Sequence, residues 1–292
     1  MNNKKIIGIL GATASGKTKY AVSLARELDA EIISLDSRQV YRELNLGVGK
    51  DLQEYTIDGV TIPYHLIGHV SLDDQYHIDR FKKDFDSAYN DIVSRGKRVI
   101  ACGGTGLYFD VLLNNRAFTS IAINEQLREE LKDKSLEELH EVFNSVYKES
   151  THHFDLSTRK RCIRAIEIVS SEDFKKINHD QPSLYEFDLI GIEVDKAILK
   201  KRIDERLESR IAKGMIEEVE NLLEQGFTAD RLIYLGLEYK FITQYLLGEM
   251  DYEEMKKRLA IAIHQFSKRQ LTFFRKLEKD GHVIRWMKIK DL

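Results

Sequence analysis

At 292 residues, with 42% hydrophobic and 32% charged residues, the chain has the composition of a folded globular protein, either one large domain or a core with an appendage, and not of a fibrous or disordered one. A net charge of −3 argues against a surface that coats nucleic acid along its whole extent, while leaving room for a local basic patch. Cys102 and Cys162 are too few for a disulfide framework and lack metal-ligand spacing, and no run is long and apolar enough for a signal peptide or membrane span, so the expectation is a reduced, cytoplasmic protein without membrane attachment.

The first element is a short buried-type strand, Lys4 to Leu10, followed at once by a glycine-rich turn. Lys17 to Leu28 reads as a helix, with Tyr20, Ala21, Leu24 and Leu28 on one face. Strands are expected at Glu31 to Leu35 and Pro63 to Ile67. A strong amphipathic helix runs from His77 to Arg95, with Phe81, Phe85 and Ile92 on its apolar face and Gly96 closing it. Lys97 to Cys102 is a further strand leading into Gly103-Gly104-Thr105-Gly106. Strand–helix alternation of this kind predicts a parallel sheet with helices on its faces. The character then changes. Asn124 to Lys148 is charged and helical with a thin apolar stripe, as in a small insertion. Phe187 to Val194 restores a strand. Asp195 to Lys279 is almost continuous helix, broken near Gly214, Gly226, Gly236 and Gly248, and His282 to Met287 is a last short strand. The expected organisation is a core over residues 1–114, a helical insertion over 115–155 and a mostly helical return to the core over 156–292.

The strongest chemical signal is Gly11-Ala12-Thr13-Ala14-Ser15-Gly16-Lys17-Thr18, which fits G-x-x-x-x-G-K-[ST] between strand and helix and makes the fold class α/β of the P-loop NTPase type. Glycines let the backbone curl so that successive N–H groups face phosphate oxygens, and the helix N-terminus adds favourable dipole. Lys17 supplies a mobile positive charge, and Thr18 can hold a magnesium ion bridging the phosphates. The motif implies a polyphosphate, ATP among the candidates, without naming the second substrate.

Asp36-Ser37 ends the second strand, at the sheet edge where doubly wound folds bind ligands. Asp36 there is a magnesium ligand, a general base or a helix N-cap. Gly103 to Gly106 forms a second glycine-rich loop on the same edge, either a tight strand-to-helix turn or, beside a P-loop, a substrate contact through Thr105. Arg159, Lys160, Arg161 and Arg164 place four cations at the start of a helix, against the macrodipole, which favours phosphate neutralisation over a solvated charge run. Lys256 to Lys276 carries seven Lys and Arg residues, Lys268 and Arg269 among them, and no acidic residue, an electrostatic footprint for a nucleic-acid backbone.

Together these residues resemble the tRNA dimethylallyltransferases, or tRNA isopentenyltransferases. The resemblance rests on Gly11 to Thr18, Asp36-Ser37-Arg38-Gln39-Val40-Tyr41, Gly103 to Tyr108, Arg161 with Arg164 to Glu167, Gly214 to Val219, and Lys268 to Arg275. It implies that the P-loop holds the pyrophosphate of dimethylallyl pyrophosphate, with Mg2+, and that the acceptor is the exocyclic amine of the adenosine 3′ of the anticodon, flipped out of its stack. On the same resemblance, Asp36 takes the amine proton, Lys17 and Thr105 lie at the reacting groups, and Ser37, Arg38 and Gln39 contact flanking nucleotides. Lys160, Arg161 and Arg164 meet tRNA or pyrophosphate, the insertion clamps the anticodon stem, and the enzyme is a monomer. The chain departs from the family pattern at Gly47-Val48-Gly49-Lys50-Asp51 and at Gly236-Leu237-Glu238-Tyr239-Lys240. An adenylate prenyltransferase and a P-loop small-molecule kinase are the alternatives.

Overall fold

The computed structural model describes residues 5–114, 118, 121–148, 154–174 and 183–288. The chain forms two compact units, Met1–Leu113 with Leu184–Leu292, and Asn114–Ser183.

In the larger unit the chain runs β1 (Ile6–Gly11), α1 (Lys17–Leu28), β2 (Ala30–Ser34), a 3-10 turn (Leu52–Tyr55), β3 (Thr56–Ile57), β4 (Val60–Thr61), β5 (Tyr64–His65), α2 (Ile78–Ser94), β6 (Arg98–Gly103) and α3 (Gly106–Asn114). Six strands make one sheet in the order β5-β2-β6-β1-β7-β8, in which β7 is Phe187–Glu193 and β8 is Ile284–Lys288, and every pairing is parallel. The expected α/β class with a parallel sheet flanked by helices is the one observed.

The central strand β1 is apolar throughout because both of its faces are covered. Alternation divides β1 between two cores. Ile7 and Ile9 pack with Ala21, Val22 and Ala25 of α1, while Ile6 and Leu10 pack with Phe81 and Phe85 of α2, Phe109 of α3 and Phe274. Those four phenylalanines are fully buried, each worth roughly 1.5–3 kcal/mol of transfer free energy.

Past β7 come five helices, α7 (Lys196–Ala212), α8 (Met215–Glu224), α9 (Ala229–Leu235), α10 (Leu237–Leu246) and α11 (Tyr252–Lys279), parted near the expected glycines. Leu207, Met215, Val219, Tyr239, Ile242 and Leu259 centre their core. Two details differ from expectation. A β3–β4 hairpin turns at Asp58-Gly59, a dipeptide suited to type I′ geometry, where no strand was expected. The 63–67 strand is only two residues long.

The smaller unit contains α4 (Glu125–Leu131), α5 (Leu136–Val146) and α6 (Arg159–Ser170). The single helix expected over 124–148 is two, because Ser135 and Glu138 form a reciprocal capping box that starts α5. The insertion also extends beyond residue 155, to 183. Cys162, Ala165, Ile166 and Val169 of α6 bury against Leu139 and Phe143 of α5, so α6 belongs to this unit and not to a core segment beginning at 156. Residues 115–117, 119–120 and 149–153 of the expected insertion lie outside the described residues.

Candidate active site

The carboxyl ends of β1, β2 and β6 open on a cavity of about 480 Å³ formed wholly within the larger unit. Thr13, Lys17, Thr18, Asp36, Ser37, Arg38 and Thr105 all line it, so the local motifs read from sequence converge on one place. This is where parallel α/β sheets place ligands.

The phosphate loop is built by two left-handed residues, Ala14 at φ 59° and Gly16 at φ 86°, the latter capping α1. Ser15 is buried, and its Oγ has no hydrogen-bond partner among the described residues. Lys17 begins α1 and donates from Nζ to the Ala12 carbonyl at 3.3 Å. Burial lowers its pKa most, Cys102 opposes that shift and Arg206 adds to it. An ammonium held against a neighbouring cation in a desolvated site is primed for an anion. The Cys102 thiol, pushed up to about 12 chiefly by burial, stays protonated.

Asp36 follows β2 and closes a local turn. Its Oδ1 accepts the Arg38 N–H at 2.9 Å and the Gln39 N–H at 3.3 Å. No helix starts there, which removes the helix N-cap alternative. The other carboxylate oxygen takes no part in that turn. β2 and β6 are paired neighbours, and the loops beyond them are sewn together: the Thr105 hydroxyl accepts the Ser37 N–H at 3.2 Å, and the Thr105 N–H donates to the Leu35 carbonyl at 3.2 Å. The Gly103-Gly104-Thr105-Gly106 run is explained by crowding. A Cβ at Gly103 would strike the Leu35 carbonyl, one at Gly104 the Gln270 amide, and one at Gly106 the Phe273 ring.

Two residues expected at the nucleic acid have internal partners. Gln39 lines the cavity, but its amide is engaged internally, accepting from Ser34 Oγ at 3.2 Å and donating to the Gly49 carbonyl at 3.0 Å. Arg164 pairs with buried Glu167 at 3.1 Å and donates to the Ile121 carbonyl at 2.7 Å, so its guanidinium holds the smaller unit together. Arg161 is exposed and pairs with Asp155 at 2.8 Å. Lys160, Arg161 and Arg164 belong to the smaller unit, and none of them lines the cavity. On α11, Lys268 and Arg269 are exposed, and Arg269 reaches the cavity wall.

Several residues in and around the cavity were given no role from sequence. Arg206 and Arg210 of α7 share Asp51, at 2.6 and 3.5 Å. Their i,i+4 spacing puts both on one face, a signal submerged in a helix full of exposed charge. Glu238 stands near both arginines, and burial raises its pKa. Gln270 of α11 accepts the Thr13 N–H at 2.8 Å and donates to the Gly104 carbonyl at 3.0 Å, joining the two glycine-rich loops. Glu218 of α8 accepts the N–H groups of Asn45, Leu46 and Gly47 and the hydroxyl of Tyr239 at 2.6 Å, while Gly47 lies against the Tyr239 ring. The two stretches that depart from the family pattern are therefore packed on each other.

Such an arrangement can hold a polyphosphate at Lys17 and the loop amides, and can set a carboxylate, Asp36, beside a second substrate. A family model described as IPP transferase matches residues 39–277, and one described as isopentenyl transferase matches residues 4–62. A tRNA dimethylallyltransferase 1 of Azobacteroides pseudotrichonymphae genomovar. CFP2 is 45% identical over 289 residues, covering 99% of this chain and 94% of that protein. Another, from Parabacteroides distasonis, is 44% identical over 98% of this chain and 93% of that protein. Among solved structures, the tRNA isopentenylpyrophosphate transferase of Bacillus halodurans superposes with a TM-score of 0.71 at 29% identity, over 98% of this chain and 90% of that one. A eukaryotic dimethylallyltransferase acting on tRNA shares the fold, with a TM-score of 0.82 at 23% identity over 98% of this chain and 74% of that one.

Proposed function

This chain belongs to the IPP transferase family and is a tRNA-prenylating enzyme, and from that premise we propose that its cavity transfers a dimethylallyl group from dimethylallyl pyrophosphate to the exocyclic amine of the adenosine 3′ of the anticodon. The observation that carries the reading is the convergence of Lys17, Asp36 and Thr105 on one cavity at the carboxyl edge of the sheet.

The donor's diphosphate lies in the loop formed by Gly11 to Thr18, against Lys17 and with Arg206 and Arg210 on the same cavity wall. The C–O bond to the allylic carbon breaks, the amine nitrogen bonds that carbon, and the nitrogen's proton passes to Asp36. Pyrophosphate leaves with the negative charge that Lys17 and the loop amides stabilise. An adenine amine is a weak nucleophile, and a carboxylate in hydrogen-bond reach both orients it and accepts its proton. Leu235, Ile263, Phe266 and Phe273 give the same cavity an apolar side for the prenyl chain. Thr105, tied to Ser37, keeps the two substrate loops in register.

The residues present fit a magnesium ion. Mg2+ keeps several waters and binds largely through substrate phosphates, so the Thr18 hydroxyl at the helix start, which lines the cavity, would supply a protein ligand. Bound there, the ion would neutralise charge on the departing pyrophosphate.

The exposed cations assigned to the tRNA backbone are Lys268 and Arg269, with Lys160 and Arg161 of the smaller unit, while Ser37 and Arg38 face the acceptor nucleotide. No helix among the described residues is long and apolar enough to cross a membrane. A cytoplasmic monomer completes the reading. Family membership displaces the small-molecule kinase, and the relatives' names favour tRNA over free adenylate.

The test is transfer of label from dimethylallyl pyrophosphate to unmodified tRNA with magnesium, beside reactions offering AMP. Label in tRNA that falls at least ~100-fold with Lys17→Ala is the expected result. Label in AMP alone would move the chain to nucleotide prenylation.

A further inference from the structure

Three cations, Lys17, Arg206 and Arg210, meet at the phosphate-binding end of the cavity, and three carboxylates, Asp51, Glu54 and Glu238, face them. The carboxylates are not equivalent. Burial raises the pKa of Glu54 and of Glu238. Burial also pushes Asp51 upward, but Arg206 and then Arg210 outweigh it and hold its carboxyl below the usual range. Asp51 is thus the firmly ionised partner.

Its fit is incomplete. One oxygen, Oδ2, serves both guanidiniums, at 2.6 Å from Arg206 Nη2 and 3.5 Å from Arg210 Nη2. Arg210 is nearly buried, and its Nη2 makes no hydrogen bond among the described residues, so the ion pair leaves a donor unfilled. A buried unfilled donor is costly, and an anion with several oxygens can satisfy two guanidinium forks together. The backbone ahead of Asp51 is pinned by Glu218 through three N–H groups and by Gln39 through the Gly49 carbonyl, and Gly49 lies so close to both guanidiniums that a Cβ there would strike them. Exchange of anions at the arginines then requires only the Asp51 side chain to swing away.

We propose that Asp51 is a resident counter-anion that neutralises Arg206 and Arg210 in the empty site, gives them up to the donor's diphosphate, and retakes them as pyrophosphate leaves. The proposal rests on the diphosphate reading of the cavity. Buried cations without a counter-charge are destabilising, which is the reason for an internal anion in a site that is empty for part of each cycle. Asp51 weakens donor binding by competition and speeds product release by the same competition. It is a positioning residue acting through the arginines.

The experiment measures inorganic pyrophosphate binding by calorimetry, together with steady-state kinetics, for the wild type, Asp51→Asn and Asp51→Ser, with thermal melting to show that each variant folds. The expected result is pyrophosphate binding tighter by about tenfold in either folded variant, with donor KM and kcat both falling as release becomes limiting. Unchanged or weaker pyrophosphate binding, or a raised donor KM, would overturn the proposal and make Asp51 a buttress that orients the arginines. A wild-type protein that binds no pyrophosphate would overturn the diphosphate reading itself, an outcome separate from any difference between variants.

Discussion

Gln270, two-thirds of the way along the last helix, accepts the main-chain N–H of Thr13 in the phosphate loop at 2.8 Å, across 257 positions of sequence. Its amide nitrogen meanwhile donates to the Gly104 carbonyl. The loop that grips phosphate and the loop that carries Thr105 are thereby spaced by one side chain. Gln270→Ala leaves the Thr13 N–H without its partner, at a cost of about 1–3 kcal/mol, and lets the two loops drift. The expected outcome is a fall in kcat of roughly 10–100-fold with a raised donor KM, since small misplacements of reacting groups cost rate steeply. Wild-type kinetics for Gln270→Ala would show that the loops hold their spacing without it.

Asp36→Asn separates structure from chemistry. The amide oxygen of asparagine can still accept the Arg38 and Gln39 N–H groups, so the turn survives. The base does not. Transfer to tRNA is expected to drop by roughly 10²–10⁴-fold, with pyrophosphate affinity unchanged within a factor of about three. Full activity in the variant would assign proton removal to another group.

At the opposite end of the sheet, buried Glu31 of β2 receives two hydrogen bonds from Arg95 and faces His65 at 2.7 Å. The Arg95 hydrogen bonds are the largest cause of a carboxyl pKa held below the ordinary value, against burial. The folded pKa lies below the unfolded one, near 4.3, so the stabilisation is fully present above that pH and is lost as pH falls through the lowered folded value. Glu31→Gln is expected to cost about 1–3 kcal/mol at neutral pH and to flatten the acid limb of the stability curve. Urea melts at pH 7, 5, 4 and 3 check this, and parallel curves for the two proteins would count against it.

What was legible in the sequence was local. The phosphate loop, Asp36 and Thr105 sit at strand ends in contiguous motifs, so spacing alone put them on one sheet edge. Arg206 and Arg210 were hidden because their helix carries charge on every face, and only the packed structure shows which pair turns inward. The internal partners of Arg164 were hidden because a run of cations shows no partners in one dimension. Its carboxylate, Glu167, lies three residues on and is sealed among Arg128, Arg164 and the Asn124 N–H. Gln270 lay within the Lys268 to Arg275 block, but its role was hidden, since its two partners are more than 160 positions away. The capping box at Ser135 is visible in sequence as Ser135 followed three residues later by Glu138, and it divides what periodicity alone reads as one helix.

The central strand has a history as well as a place. Gly8 of β1 pairs with Ala101 of β6 on one side and with Leu189 of β7 on the other, so its second neighbour is synthesised 181 residues after it. At ordinary translation rates that interval is roughly 10–40 s, during which one hydrogen-bonding edge of an all-apolar strand waits for its partner while the smaller unit emerges. An unpaired apolar edge is a template for the wrong strand. The newborn chain is therefore most vulnerable to aggregation before residue 193 leaves the ribosome, and its yield in the cell should depend on elongation speed and on chaperones that shield nascent β1 more than on the stability of the finished protein.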